Sequence, residues 1–198
     1  EISTAQNQDF GAEANYSFNI LIMRKSLLEY LVRTAIAHNA TSFEREVVQA
    51  NLQSLKVYGY EARGFAEIID NLKTYYKVNM ELLLPENRKM LFDKNNQIMT
   101  KICDNIPATY GLHSNVSNSL IADGCTINGT IENSILFRDV YVEEGAVIKN
   151  SIIMQGSRIQ KNSSLNCVIT DKNAIITPNK QLSGDPTYPV YISKNITV

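Results

Sequence analysis

Past Ser117 the aliphatic residues of the chain recur near every sixth position, as from Ile121 to Ile127, Val142 to Ile148 and Ile159 to Leu165. An α-helix cannot hold that pattern on one face, because a step of six drifts around a turn of about 3.6 residues. A longer repeat lies over it. Glu132-Asn133-Ser134-Ile135-Leu136 returns 17 residues later as Lys149-Asn150-Ser151-Ile152-Ile153, and again as Asn166-Cys167-Val168-Ile169-Thr170. Ile131, Ile148 and Leu165 keep the same interval, as do Val142, Ile159 and Ile176, while Asn118-Ser119-Leu120-Ile121 precedes the first copy by 15. Three short strands per coil, each turning one aliphatic side chain inward, satisfy both periods, so residues 117 to 176 are predicted to form a parallel β-helix of hexapeptide-type coils. An ordinary antiparallel sheet gives no reason for such a register. β-Branched Ile and Val suit the stacked positions, and Gly124, Gly129, Gly145, Gly156 and the asparagines fall where corners need tight or left-handed backbone.

The first half has other periods. Tyr16 to Met23 is an apolar run of strand length. Ser26 with Glu29 predicts a capped helix carrying Leu27, Leu28, Leu31, Val32, Ala35 and Ile36, and Thr41 with Glu44 repeats the signal before Val47, Val48 and Leu52. Lys56 to Arg63 alternates like a strand. A third helix is expected from about Ala66, with Pro85 marking its end. This half reads as α/β. Polar runs such as Asp93-Lys94-Asn95-Asn96, then Ile106-Pro107-Ala108, read as a linker. The predicted division is therefore 1–92, a linker at 93–116, and the repeat at 117–198.

Composition narrows the class. With 44% hydrophobic and 20% charged residues and a net charge of −1, a chain of 198 residues can bury one ordinary core or two small ones. It has no apolar run of bilayer length, and no Lys/Arg cluster that would favour nucleic acid. Glu1 to Gln6 shows no basic or apolar leader, so a cytoplasmic location is expected. The chain opens without an initiator Met and is expected to be a fragment or processed product. Cys103, Cys125 and Cys167, an odd number without metal-ligand spacing, read as reduced structural thiols. Arg138, Lys149, Arg158, Lys161 and Lys172 recur along the coils, where they are candidates for binding a phosphorylated effector. His38 and His113 are the only histidines, and a histidine base projecting from a coil would suit a hexapeptide acyltransferase, with His113 as the candidate. Tyr188 to Ser193 is a strand suited to capping the last coil or to a subunit interface.

The run Ser119-Leu120-Ile121-Ala122-Asp123-Gly124-Cys125-Thr126-Ile127-Asn128-Gly129, with Asn133 to Phe137, resembles the C-terminal domain of ADP-glucose pyrophosphorylases, the glucose-1-phosphate adenylyltransferases. Ile106-Pro107-Ala108 resembles the junction before their β-helix, Tyr75 to Leu83 with Asn79 the helix that closes their nucleotidyltransferase domain, and Tyr16 to Met23 a central strand of it. The resemblance implies the C-terminal part of a nucleotidyltransferase-like α/β domain followed by a left-handed parallel β-helix. It places the family's glycine-rich nucleotide loop before Glu1. It also implies magnesium as cofactor if the full-length protein is catalytic, and none held by this stretch. The departures carry information. Ile68, in Gly64-Phe65-Ala66-Glu67-Ile68-Ile69-Asp70-Asn71, stands where the family has a magnesium-binding Asp, and an aliphatic side chain cannot ligate a hard cation. Ser17 matches a sugar-contacting serine and is the candidate substrate-binding residue, although Phe18 and Asn19 replace the next two motif positions. Phe43 to Gln49 resembles a further motif, with Gln49 where a proline is usual. An intact scaffold with altered site positions implies a non-catalytic regulatory or assembly subunit that partners a catalytic homologue in a homo- or hetero-oligomer. The alternatives are a catalytic sugar-1-phosphate nucleotidyltransferase and the acyltransferase.

Overall fold

A computed structural model describes residues 2–3, 15–62, 64–95, 97–100 and 104–198. Cys103 and Arg63 lie outside these. The chain divides into two compact units, residues 1–62 and 63–198.

In the first unit only Tyr16 of the expected apolar strand pairs, together with Asn15 before it, in parallel with Ile2–Ser3. From Ser17 to Arg24 the backbone has no strand partner among the described residues, and Ile20 and Ile22 are 79% and 96% exposed. The alternation from Lys56 also forms no strand, leaving Tyr58 and Tyr60 exposed. Both expectations fail for one reason: a strand is stabilised by a neighbour that completes its hydrogen bonds, and beyond Ile2–Ser3 the described part of this unit offers none. Helices need no such partner. Helix α1 runs from Lys25 to Ala37, beginning before the expected Ser26 cap, with Arg24 at its N-cap. A π-helical turn at Phe43–Val48 is capped by Ser42, whose hydroxyl accepts from the Arg45 N–H, while Thr41 donates to Glu46 through its N–H and hydroxyl. Those bonds hold the Glu46 carboxyl below its usual range. Leu31, Val47 and Val48 are buried.

The second unit opens with helix α2, Leu72–Glu81. It starts later than Ala66 because Asn71 supplies a full capping box: its Oδ1 accepts from the Thr74 N–H at 2.8 Å, and its own N–H donates to Thr74 Oγ1 at 3.1 Å. Pro85 does not merely end a helix; it opens the next, α3 at Pro85–Leu91, where its missing N–H costs nothing. Arg88 of α3 donates to the carbonyls of Leu82 and Leu83, satisfying orphan acceptors at the end of α2.

From Thr109 onward the chain is a parallel β-solenoid, three sheets of five strands each. The first face stacks Thr109–Tyr110, Thr126–Ile127, Tyr141–Val142, Arg158–Ile159 and Ile175–Ile176. The second stacks Asn115–Ser117, Thr130–Glu132, Val147–Lys149, Ser164–Asn166 and Gln181–Ser183. The third stacks Leu120–Ile121, Ile135–Leu136, Ile152–Ile153, Val168–Thr170 and Val190–Ile192. On the second and third faces the pairings at levels two to four follow the seventeen-residue register read from the sequence, for example Ile131 to Ile148 to Leu165, while the first face steps by 15 from Ile127 to Val142 before taking up the same interval. The coils begin ahead of Ser117: Tyr110 and Val116 are also six apart, but an aromatic in the first position hides the aliphatic signal. At the far end Val190–Ile192 continues the third face, and Ile196 to Val198 return to bond Ile175 and Thr177.

Inside the prism Ile127, Ile131, Leu136, Val142, Ile148, Ile153, Ile159, Leu165 and Ile176 are fully buried. The corners repeat too. Left-handed backbone at Asn118, Asn133, Asn150 and Cys167 turns the second face into the third. Gly156, φ +73°, suits its corner for a second reason: a Cβ there would displace the Asn173 carboxamide of the next coil.

Beside the second-to-third corner runs a serine ladder. Ser134 and Ser151 each donate to a carbonyl two residues back, Glu132 and Lys149, and accept an N–H from the coil above, Ser151 and Val168. Both are fully buried. Ser151→Ala therefore strips the Val168 N–H of its acceptor where water cannot replace it, and the expected loss is about 1–3 kcal/mol in denaturant unfolding. Ser119→Ala, at the partly solvated bottom of the ladder, costs less. Equal losses would contradict the burial argument.

Candidate functional site

The sequence-derived candidates occupy separate places. Ser17, half-buried in the first unit, accepts the Asn19 N–H at 3.2 Å, a local turn in which Asn19 takes φ +57°. In the second unit Ile68 is 37% exposed in irregular backbone ahead of α2. Asp70 is engaged in the cap of α2, accepting from Thr74 Oγ1 at 2.9 Å and from Asn71 Nδ2 at 2.7 Å.

The five cations do not converge. Arg138 is ion-paired with Asp123, Nε to Oδ1 at 3.0 Å, on the third-to-first corner. Lys149 pairs with Glu132 at 2.9 Å on the second face. Arg158 projects from the first face between Tyr141 and Ile175. Lys161 lines an open groove of about 410 Å³ on the first-to-second corner, with Leu112, His113, Asn128, Tyr141 and Glu143. Lys172 lies on the same corner as Arg138, two coils further on, beside Asp171. The Lys172 N–H holds the Asp171 carboxyl below its usual range, helped by the Tyr191 hydroxyl. His113 is exposed in the first coil, and among the described residues nothing hydrogen-bonds its ring to orient it as a base.

Sequence reasoning missed where α2 sits. The outward positions of the third face, Ile152 and Ile169, are fully buried because Tyr76, with Tyr75 and Met80, lies over them. The Tyr76 hydroxyl donates to the Asn150 carbonyl at 2.7 Å and reaches Cys167 Sγ at 3.6 Å. Burial chiefly, and contact with Cys167 next, push that hydroxyl well above the ordinary tyrosine range. The signal was present as an exception: Cys167 breaks the Asn118, Asn133, Asn150 column, and with no carboxamide at 167 the Asn150 amide turns to Asn166 Oδ1 at 3.0 Å. Cys125 and Cys167 are buried and free. Alongside α2 lies an apolar groove of about 420 Å³ between Tyr76, Met80, Leu84 and Pro186, flanked by Lys73 and Lys77. No helix among the described residues is long and apolar enough to cross a membrane.

Residues 105–188, nearly the whole solenoid, match the family described as GlmU-like, C-terminal hexapeptide. The chain is 36% identical over 182 residues to the glycogen biosynthesis protein GlgD of Bacillus subtilis, covering 91% of this chain and 52% of that protein. It is 31% identical to the glucose-1-phosphate adenylyltransferase of Fervidobacterium nodosum over 81% of its own length and 38% of the enzyme's. The corresponding enzyme of Bacillus mycoides is matched at 31%, over 81% and 42%. The chain thus spans about half, or less, of the curated relatives it matches. The GlgD match takes in 182 of the 198 residues, and so α1 and α2 as well as the solenoid, which other hexapeptide proteins share, and the chain belongs to the ADP-glucose pyrophosphorylase family.

Proposed function

We propose that this chain is part of a regulatory or assembly subunit of a glucose-1-phosphate adenylyltransferase in bacterial glycogen synthesis, and that it does not itself transfer the adenylyl group. The observation that carries the reading is Ile68, an aliphatic side chain in the position where the family resemblance expects a magnesium-binding carboxylate. The similarity to a GlgD over 91% of the chain supports it. So does the solenoid's N-terminal end. There the inward register positions Tyr110, Val116 and Ile121 remain partly exposed, Tyr110 at 54%, and no described strand pairs beneath them. Open strand edges over exposed apolar residues favour a partner.

The full-length protein alone is expected to form no ADP-glucose or pyrophosphate from ATP, glucose 1-phosphate and magnesium. Mixed with a catalytic glucose-1-phosphate adenylyltransferase from the same source, it is expected to change that enzyme's kcat, KM or effector response. Robust turnover by the isolated full-length protein would sink the reading in favour of a catalytic subunit, and kinetics unaltered by mixing would remove the regulatory role.

A further inference from the structure

The solenoid is electrically polar along its axis. From Thr109 to Ile153 it carries five carboxylates, Asp123, Glu132, Asp139, Glu143 and Glu144, against two cations; from Met154 to Val198 it carries five cations, Arg158, Lys161, Lys172, Lys180 and Lys194, against two carboxylates. The division is sharpest on the corner between the first face and the second, where Glu143 and Glu144 lie below Lys161 and Lys180; the first face itself carries one charge, Arg158, and no carboxylate. Reading up the face, Tyr141 is followed directly by Arg158; on the corner Glu143 and Glu144 are followed by Lys161. The side chains of Tyr141, Glu144, Arg158 and Lys161 are all exposed, and no ion pair among the described residues satisfies Glu144, Arg158 or Lys161 within the chain.

The geometry points to an isologous, antiparallel pairing of two copies through this face and groove. Reversing a second copy about a two-fold axis that passes between the coils of Tyr141 and Arg158 brings each Tyr141 ring opposite the partner's Arg158. The same operation sets each Glu144 opposite the partner's Lys161. A parallel copy would set like against like, so the order of residues along the solenoid selects the orientation. The aromatic–guanidinium pairs gain from cation–π attraction, and the groove of about 410 Å³ gives the corner a concave seat. The charges lie on the sides of the prism and not at its ends, which favours a closed pair over a head-to-tail filament. This pairing does not rest on the assignment of the chain as a subunit of an adenylyltransferase.

Light scattering and sedimentation equilibrium on the full chain test it, at low salt and at about 1 M, where the screening length falls to about 3 Å. Wild type is expected to be a dimer that weakens with salt. Glu144→Lys and Lys161→Glu, both at exposed positions, are each expected to raise the dimer dissociation constant about tenfold by setting like charges against each other. An equimolar mixture of the two variants is expected to recover wild-type affinity, because in the mixed pair each altered side chain meets its opposite. Circular dichroism checks that both variants stay folded. A chain monomeric at every concentration, or pairing only when a homologous adenylyltransferase subunit is added, overturns the proposal. So do variants that dimerise like wild type, or a mixture that fails to pair.

Discussion

Replacing Ile148 with alanine is expected to cost the solenoid about 2–5 kcal/mol, the range for truncating a buried aliphatic side chain that leaves a cavity. Ile148 is fully buried on the middle coil, between Ile131 below and Leu165 above. Each of those neighbours is fixed by its own coil, so little can collapse into the space. The same substitution at Ile121 is the control. That side chain occupies an inward position on the first coil, where it pairs only with the coil of Leu136 and stays partly exposed. In a stack where each repeat touches only its neighbours, an interior coil loses two interfaces and a terminal coil one. Chemical denaturation of the two variants is therefore expected to shift the midpoint markedly more for Ile148→Ala than for Ile121→Ala. Equal shifts would mean that the solenoid does not unfold as a stack of coupled coils.

The coils were legible because a solenoid repeats one local problem many times. Ile131, Ile148 and Leu165 answer the same inward position, so each copy corroborates the others. Corners follow for the same reason: Asn133 and Asn150 take left-handed φ where the pattern required it. The first half had no such redundancy. Ile20 and Ile22 carry a strand-like pattern, yet strand formation depends on a neighbour that the local sequence does not encode. Helix existence was read correctly for α1 and α2, but their starts were not. Arg24, not the expected Ser26, stands at the first N-cap, and α2 starts behind Asn71 and not near Ala66, because Asn71 forms a reciprocal capping bond with Thr74. Among the candidate sites, the cations were legible as residues but not as partners. Glu132 and Lys149 stand 17 apart in sequence and face each other only because the coil closes between them. The exposed pair Arg158 and Lys161 differs from Arg138 and Lys149 only by what the neighbouring coil places beside it.

Tyr76→Ala is expected to release α2 from the third face while leaving the coils beneath it intact. Tyr76 is 5% exposed, and truncating a buried aromatic costs about 3–5 kcal/mol. What that energy holds is local: the ring covers the outward side chains of Ile152 and Ile169, whereas the solenoid core is built from the inward ones, such as Ile153. Amide hydrogen exchange is thus expected to accelerate across Leu72 to Glu81 and to stay slow at Ile152 to Ile153 and Val168 to Thr170. Loss of protection in both places together would show that helix and coils unfold as one unit. Tyr76→Phe separates the ring from its hydroxyl. It keeps the cover and leaves the Asn150 carbonyl without its donor, a loss of about 0.5–1.5 kcal/mol. The hydroxyl also sets a pH dependence. Because burial raises its pKa on folding, the docked helix favours the protonated form. Its contribution is complete below the ordinary tyrosine value of about 10 and is lost as pH rises through the raised folded value. Wild-type α2 is therefore expected to lose protection on the alkaline side ahead of the coils, and Tyr76→Phe, which has no proton to give up, is expected to reduce that alkaline step to the part set by Tyr75, whose hydroxyl burial also raises, while starting from a slightly lower stability at neutral pH.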